Sequence, residues 1–98
     1  MTAALVVGYV ASAFSIGAFI PQVWKLIKTR DTKALSTPTW VAEVITFALW
    51  TTYGVLLGQI PIIVTNAACG VMSIFILVMK VASRGTRDKI ADAVDPAA

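Results

Sequence analysis

Residues 44–79 read VITFALWTTYGVLLGQIPIIVTNAACGVMSIFILVM, 36 positions without a charged side chain. A hydrocarbon core about 30 Å thick needs roughly 20 helical residues to cross it, so this run supplies most of two membrane spans. It is interrupted at Gly58-Gln59-Ile60-Pro61. Glycine just past one helix and proline opening the next mark a tight reversal, which makes the two helices antiparallel neighbours. Upstream, residues 1–24 again carry no charge and supply a further span. The reading is an all-α integral membrane protein: a three-transmembrane-helix bundle over 1–83, with helices at about 3–27, 38–57 and 61–82. Ser36 or Thr37 caps the second helix ahead of Pro38, whose missing N–H costs nothing in a first turn.

Composition excludes other classes. Of the 98 residues, 58% are apolar and 13% charged, against a usual charged share of about 25%. The Ala11-Ser12-Ala13 triplet looks like a signal cleavage site, but nothing before Lys25 is basic, so the first segment is expected to be a span. There is no histidine and one cysteine, which leaves no His-ligated metal site and no thiolate cluster. Cys69 reads as a small core residue. Ser12, Ser15 and Ser73 lack a histidine base, and no Gly-rich phosphate loop follows a strand, so neither an enzyme nor a cofactor is expected.

All eight cations fall in two places. Lys25, Lys28, Arg30 and Lys33 surround the first loop; Lys80, Arg84, Arg87 and Lys89 follow the third helix. The positive-inside rule then puts the N-terminus outside and the C-terminus in the cytoplasm of a multi-pass protein of the cell inner (plasma) membrane. The net charge of +3 answers to membrane lipid and not to nucleic acid. Residues 84–98 read as a short, disordered cytoplasmic tail.

Three helices of this length enclose almost no volume. Two copies about a two-fold axis along the membrane normal would give six helices and a shared central cavity, in keeping with the closed symmetry of most oligomers. The polar side chains show where such a cavity would lie, because each is costly in a span unless it finds a partner or water. Gly8, Ser12, Ser15, Phe19 and Gln22 form one stripe at spacings of three and four. Glu43, Phe47, Trp50 and Gly54 form a second, with Tyr53 beside it; Asn66, Gly70 and Ser73 form a third. The small members suit either helix contact or cavity lining. Trp50 lies at mid-depth, away from the interfacial belt that suits Trp24 and Trp40. A deep indole and the four-bond amide of Asn66 together point to a binding site. Pro21, inside the first helix, removes a hydrogen bond and creates a bend near its inner end.

These residues resemble the SemiSWEET sugar transporters, PQ-loop proteins that are half-size bacterial relatives of SWEETs. The match rests on Pro21-Gln22, on the T-R-D-T-K-A-L-S loop at 29–36, on W-x-x-Y-G from Trp50 to Gly54, and on Pro61 and Asn66. It runs from about Tyr9 to Lys80. The resemblance implies parallel homodimers that move mono- or disaccharides by alternating access, as uniporters, SWEETs being built from parallel repeats. It implies substrate contacts at Trp50 and Asn66, with Phe19 and Thr51 as neighbours; Ser12 and Ser15 are candidates from the stripe of the first helix alone, suiting cavity lining or helix contact equally. Pro21 would be the hinge of the inner gate, with Gln22 satisfying loosened backbone groups.

Two features depart from that pattern. The Gly58–Gln59–Ile60 turn carries no charge, so an outer gate would rely on Tyr53, Gln59 and packing. Glu43 replaces an expected apolar residue. It reads either as a partner of Lys25 or Lys28 that latches the inner gate, or as a carboxylate coupling proton movement to solute movement. The alternatives to a sugar uniporter are therefore a proton-coupled small-solute transporter and a non-transporting accessory subunit.

Overall fold

A computed structural model describes residues 2–95, and its helices follow the local signals closely. Helix α1 spans Ala3–Thr29, capped by the Thr2 hydroxyl, which accepts from the Leu5 N–H at 3.2 Å. It ends at Arg30, whose left-handed backbone (φ 56°) lets its N–H bond the Leu26 carbonyl at 2.8 Å. Helix α2 spans Thr37–Leu57, and the Ser36 hydroxyl accepts from the Thr39 N–H. Gly58 then turns left-handed (φ 66°). Its N–H bonds the Val55 carbonyl at 3.2 Å, and the Gln59 N–H bonds the Gly54 carbonyl at 2.9 Å. That pairing is the Schellman ending, which satisfies carbonyls a helix terminus would otherwise leave bare. Helix α3, Ile60–Val81, starts at once. All three helices are long and apolar enough to cross a membrane, and the molecule's 48 Å long axis exceeds the hydrocarbon thickness.

Helix α3 is the central element and packs on both α2 and α1. Small residues set the close approaches: Gly8 against Pro61, Gly54 against Ile62 and Ile63, Gly70 against Phe47. Helices α1 and α2 flank it and meet through the Phe19 ring, edge-on to Phe47 at 5.8 Å and to Trp40 at 6.3 Å. A groove is left between α1 and α2, with α3 as its floor. Large apolar side chains such as Phe14 and Leu56 are exposed along the outer parts of the helices. In a bilayer that surface meets lipid, so its exposure is no defect.

The dense core lies at the end of the bundle that carries the cations. Leu26, Ile76, Met79 and Ala91 are buried together, with Phe19, Val23, Leu35, Trp40, Phe75 and Ile90 packed around them. Ala91 comes from the segment read as a disordered tail, and here the structure differs from the sequence expectation. Arg84–Val94 form helix α4, capped by the Ser83 hydroxyl on the Thr86 N–H. Local composition is polar, but Ala91 is buried in a cluster with Leu26 of α1 and Ile76 and Met79 of α3, and Arg87 bonds the Met79 and Ala82 carbonyls at 2.8 and 3.2 Å. Residues 96–98 of that segment, and Met1, lie outside the described residues.

Candidate functional site

The groove between α1 and α2 has a volume of ≈ 440 Å³. Helix α1 contributes Ala18 together with Ser15, Phe19 and Gln22, the half of its small and polar stripe nearer the cation-bearing end. Helix α2 contributes Thr39, Trp40, Glu43 and Phe47, and α3 contributes Thr65, Asn66 and Cys69. Each set recurs at three or four positions, as one helix face must. The result is a trough with aromatic walls and polar groups between them.

Asn66 donates one N–H to the Ile62 carbonyl of its own helix at 2.8 Å. Its side-chain oxygen and second N–H remain for the groove. Glu43 is half-buried and makes no ion pair among the described residues. The pairing with Lys25 or Lys28 expected from the sequence is absent. Lys28 lies over the Trp24 ring at 4.7 Å and reaches Asp95 at 2.6 Å. Lys25 lines a separate cavity of ≈ 280 Å³ at the cation-bearing end, which shares Gln22 and Trp40 with the groove. Glu43 is therefore the single carboxylate of a groove whose lining holds no cation.

The other expected residues are distributed unevenly. Ser12 is 5% exposed, and its hydroxyl is within hydrogen-bond reach of the Gly8 carbonyl, the Pro61 carbonyl and the Thr65 hydroxyl. It fastens α1 to the first turn of α3 and does not line the groove, because the Gly8–Pro61 approach closes the helices at that level. Thr51 donates to the Phe47 carbonyl at 2.7 Å, within its own helix. Trp50 stands outward of the groove, edge-on to Tyr53 at 5.4 Å, and both are 49% exposed. Pro21 lies inside α1 with its ring exposed. The carbonyl four residues back is that of Gly17, and it receives no N–H from a proline. Gly70 and Ser73 are consumed by packing: Ser73 is fully buried.

Phe47, a member of the α2 stripe, does line the groove, whereas sequence reasoning left Thr39, Trp40, Thr65 and Cys69 out of the site. Extending the α2 stripe one turn inward, at spacing three from Glu43, would have included Trp40. Cys69 is buried, as expected of a small core residue, yet it faces the groove floor. Nothing local distinguishes Thr65 from a back-bonding threonine, and it does donate to the Pro61 carbonyl at 2.6 Å.

Comparison with known proteins adds independent findings. Residues 3–63 match the family model of the PQ loop repeat. Over 74 residues the chain is 36% identical to the sugar transporter SemiSWEET of Bradyrhizobium diazoefficiens, covering 76% of this chain and 86% of that one. Over 60 residues it is 33% identical to the sugar transporter SemiSWEET of Leptospira biflexa, covering 61% and 71%. Among solved structures, the crystal structure of a bacterial homologue of SWEET transporters aligns with a TM-score of 0.76 at 31% identity, over 82% of this chain and 96% of that one.

Proposed function

The chain belongs to the PQ-loop repeat family, in its SemiSWEET group, and on that premise we propose that it carries mono- or disaccharides across the membrane by alternating access, as a parallel homodimer. The observation that carries this reading is the open groove. It brings Ser15, Gln22, Glu43, Thr65 and Asn66 together along one side of a bundle whose spans elsewhere expose many large apolar side chains. Such groups are costly against lipid. A second copy, turned about the membrane normal, covers them and joins two grooves into one cavity. A single groove of ≈ 440 Å³ already falls within the roughly 300–1,000 Å³ of small-molecule sites.

The chemistry suits a neutral polyol. Asn66 offers acceptor and donor side by side for adjacent hydroxyls, and the Trp50 indole suits the apolar C–H face of a sugar ring. In this reading Trp50, which stands outward of the groove, meets the sugar ring from that end while Phe19 and Ser15 line the groove; Ser12 and Thr51 support the helices that hold them. Pro21, which leaves the Gly17 carbonyl without its usual helical donor, forms a hinge, so the part of α1 beyond it swings as the inner gate, with Gln22 and Glu43 at its mouth. Tyr53 serves the outer gate. The clustering of cations at that end supports a cytoplasmic inner end and C-terminus under the positive-inside rule, and in this reading transport is facilitated diffusion.

Counterflow of labelled glucose and sucrose into proteoliposomes tests this. Uptake of either sugar should be lost in Trp50→Ala and Asn66→Ala while the dimer survives gel filtration. No uptake of either sugar by well-folded wild type would overturn the reading. A second reading draws on Glu43, the groove's single carboxylate: coupling of solute to proton movement. It requires that a pH gradient drive uptake in wild type and not in Glu43→Gln.

A further inference from the structure

Two carboxylates on one face of α4 and a third on the residue that caps its end converge on the inner end of α1. Asp88 and Asp92 are four apart on the helix, and Asp95 is the extended C-cap residue that follows Val94. The Arg30 guanidinium reaches Asp88 at 3.4 Å and also Asp92, and the Lys28 ammonium lies 2.6 Å from Asp95. The hydrogen bond to Asp92 is the largest influence raising the Arg30 pKa above its ordinary value. On its other side α4 is fastened to α3. Arg87 donates to the Met79 and Ala82 carbonyls, and Ala91 is buried in the cluster of Ile76, Met79 and Leu26. Lys80 adds a bond from α3 to the Thr32 carbonyl at 2.9 Å, holding the loop that follows Arg30.

Helix α4 is thus a bridge from the last turn of α3 to the part of α1 that lies beyond Pro21. We propose that it is a releasable latch on the inner gate, holding that segment of α1 against α3 and the groove closed toward the cytoplasm. The inference rests on the hinge and orientation described above. Swinging the segment away separates Arg30 and Lys28 from their carboxylates and uncovers Leu26. Partly exposed ion pairs are individually weak and are screened by salt, which suits a catch that must open in every cycle. Three of the chain's five acidic residues are committed to it.

The chain carries its own reporter. Cys69 is its single cysteine, lines the groove and is 1% exposed. The full-length protein is reconstituted, and a membrane-impermeant maleimide is applied to its cytoplasmic face. Asp88→Asn/Asp92→Asn/Asp95→Asn should label about three- to tenfold faster than wild type, from the summed loss of three weak pairs. Potassium chloride at about 1 M, where the screening length falls to about 3 Å, should speed wild-type labelling and leave the triple variant unchanged. Equal rates for the two proteins, whether fast or slow, overturn the latch. Labelling needs no sugar, so faster labelling without counterflow would sink the sugar reading and leave the latch standing.

Discussion

Gly54→Ala should loosen the outer half of the bundle, and Ile62→Ala should repair it. A Cβ built at Gly54 stands 2.8 Å from Ile62 Cγ2, 3.1 Å from Ile63 Cγ1 and 3.2 Å from Ile62 Cβ. Ordinary carbon contacts lie at about 3.5–4.0 Å. Both neighbours are β-branched, with one strongly preferred side-chain rotamer in a helix, so neither can turn aside. Helices α2 and α3 must instead part by several tenths of an ångström. Overpacking of this kind costs about 1–3 kcal/mol, while alanine recovers roughly 1 kcal/mol of helix propensity over glycine. A net loss of about 1 kcal/mol follows. Ile62→Ala removes the Cγ2 that obstructs the new methyl. Adding it to Gly54→Ala should therefore cost about 1–2 kcal/mol less than the two single changes predict, a coupling typical of touching residues. The assay is unfolding of the purified protein in detergent, for wild type, both single variants and the double. Additivity within about 0.5 kcal/mol would refute the contact as the cause. Gly17→Ala is the control, because no atom lies within 4 Å of its added Cβ, and it should not destabilise the fold.

Other outcomes follow from single contacts. Ser12→Ala breaks the link from α1 to the Pro61 carbonyl and Thr65. It should lower stability by about 0.6–1.7 kcal/mol and leave sugar affinity unaltered; weaker binding in an equally stable variant would return Ser12 to the site. Pro21→Ala restores a bond to the Gly17 carbonyl and removes the ring clash, so α1 should be stabilised by up to roughly 3 kcal/mol while counterflow slows. Unslowed counterflow would count against a hinge at this position. Lys80→Met deprives the Thr32 carbonyl of its donor, at about 1 kcal/mol, and should accelerate hydrogen exchange over residues 30–36. Equal exchange would show that the loop is held by other contacts.

Much of the fold was legible because a bilayer removes alternatives. Uncharged runs of this length must become helices whose backbone groups bond internally. Ser36, Gly58 and Pro61 then mark helix ends through local bonds, and the observed boundaries fall within two residues of those expected. The α4 helix was not legible. Its own residues are polar, and its stability comes from Lys28, Arg30 and Met79, which are distant in sequence. The Glu43 pairing misled for a related reason: Lys28 has a closer carboxylate in Asp95, on a helix the sequence did not announce.

The sequence by itself determined three spans, their tight hairpin, the side that carries the cations and the helix faces that bear polar groups. Each of these depends on hydropathy, charge or spacing along one segment. Only the tertiary structure decided how each stripe is divided. Where Gly8 meets Pro61 the helices touch, and Ser12 is spent on holding them together. One turn inward, Ser15, Phe19 and Gln22 face an open groove shared with Glu43 and Asn66. Helical spacing says which side chains share a face. How closely another helix approaches that face decides whether they become a seam or a site.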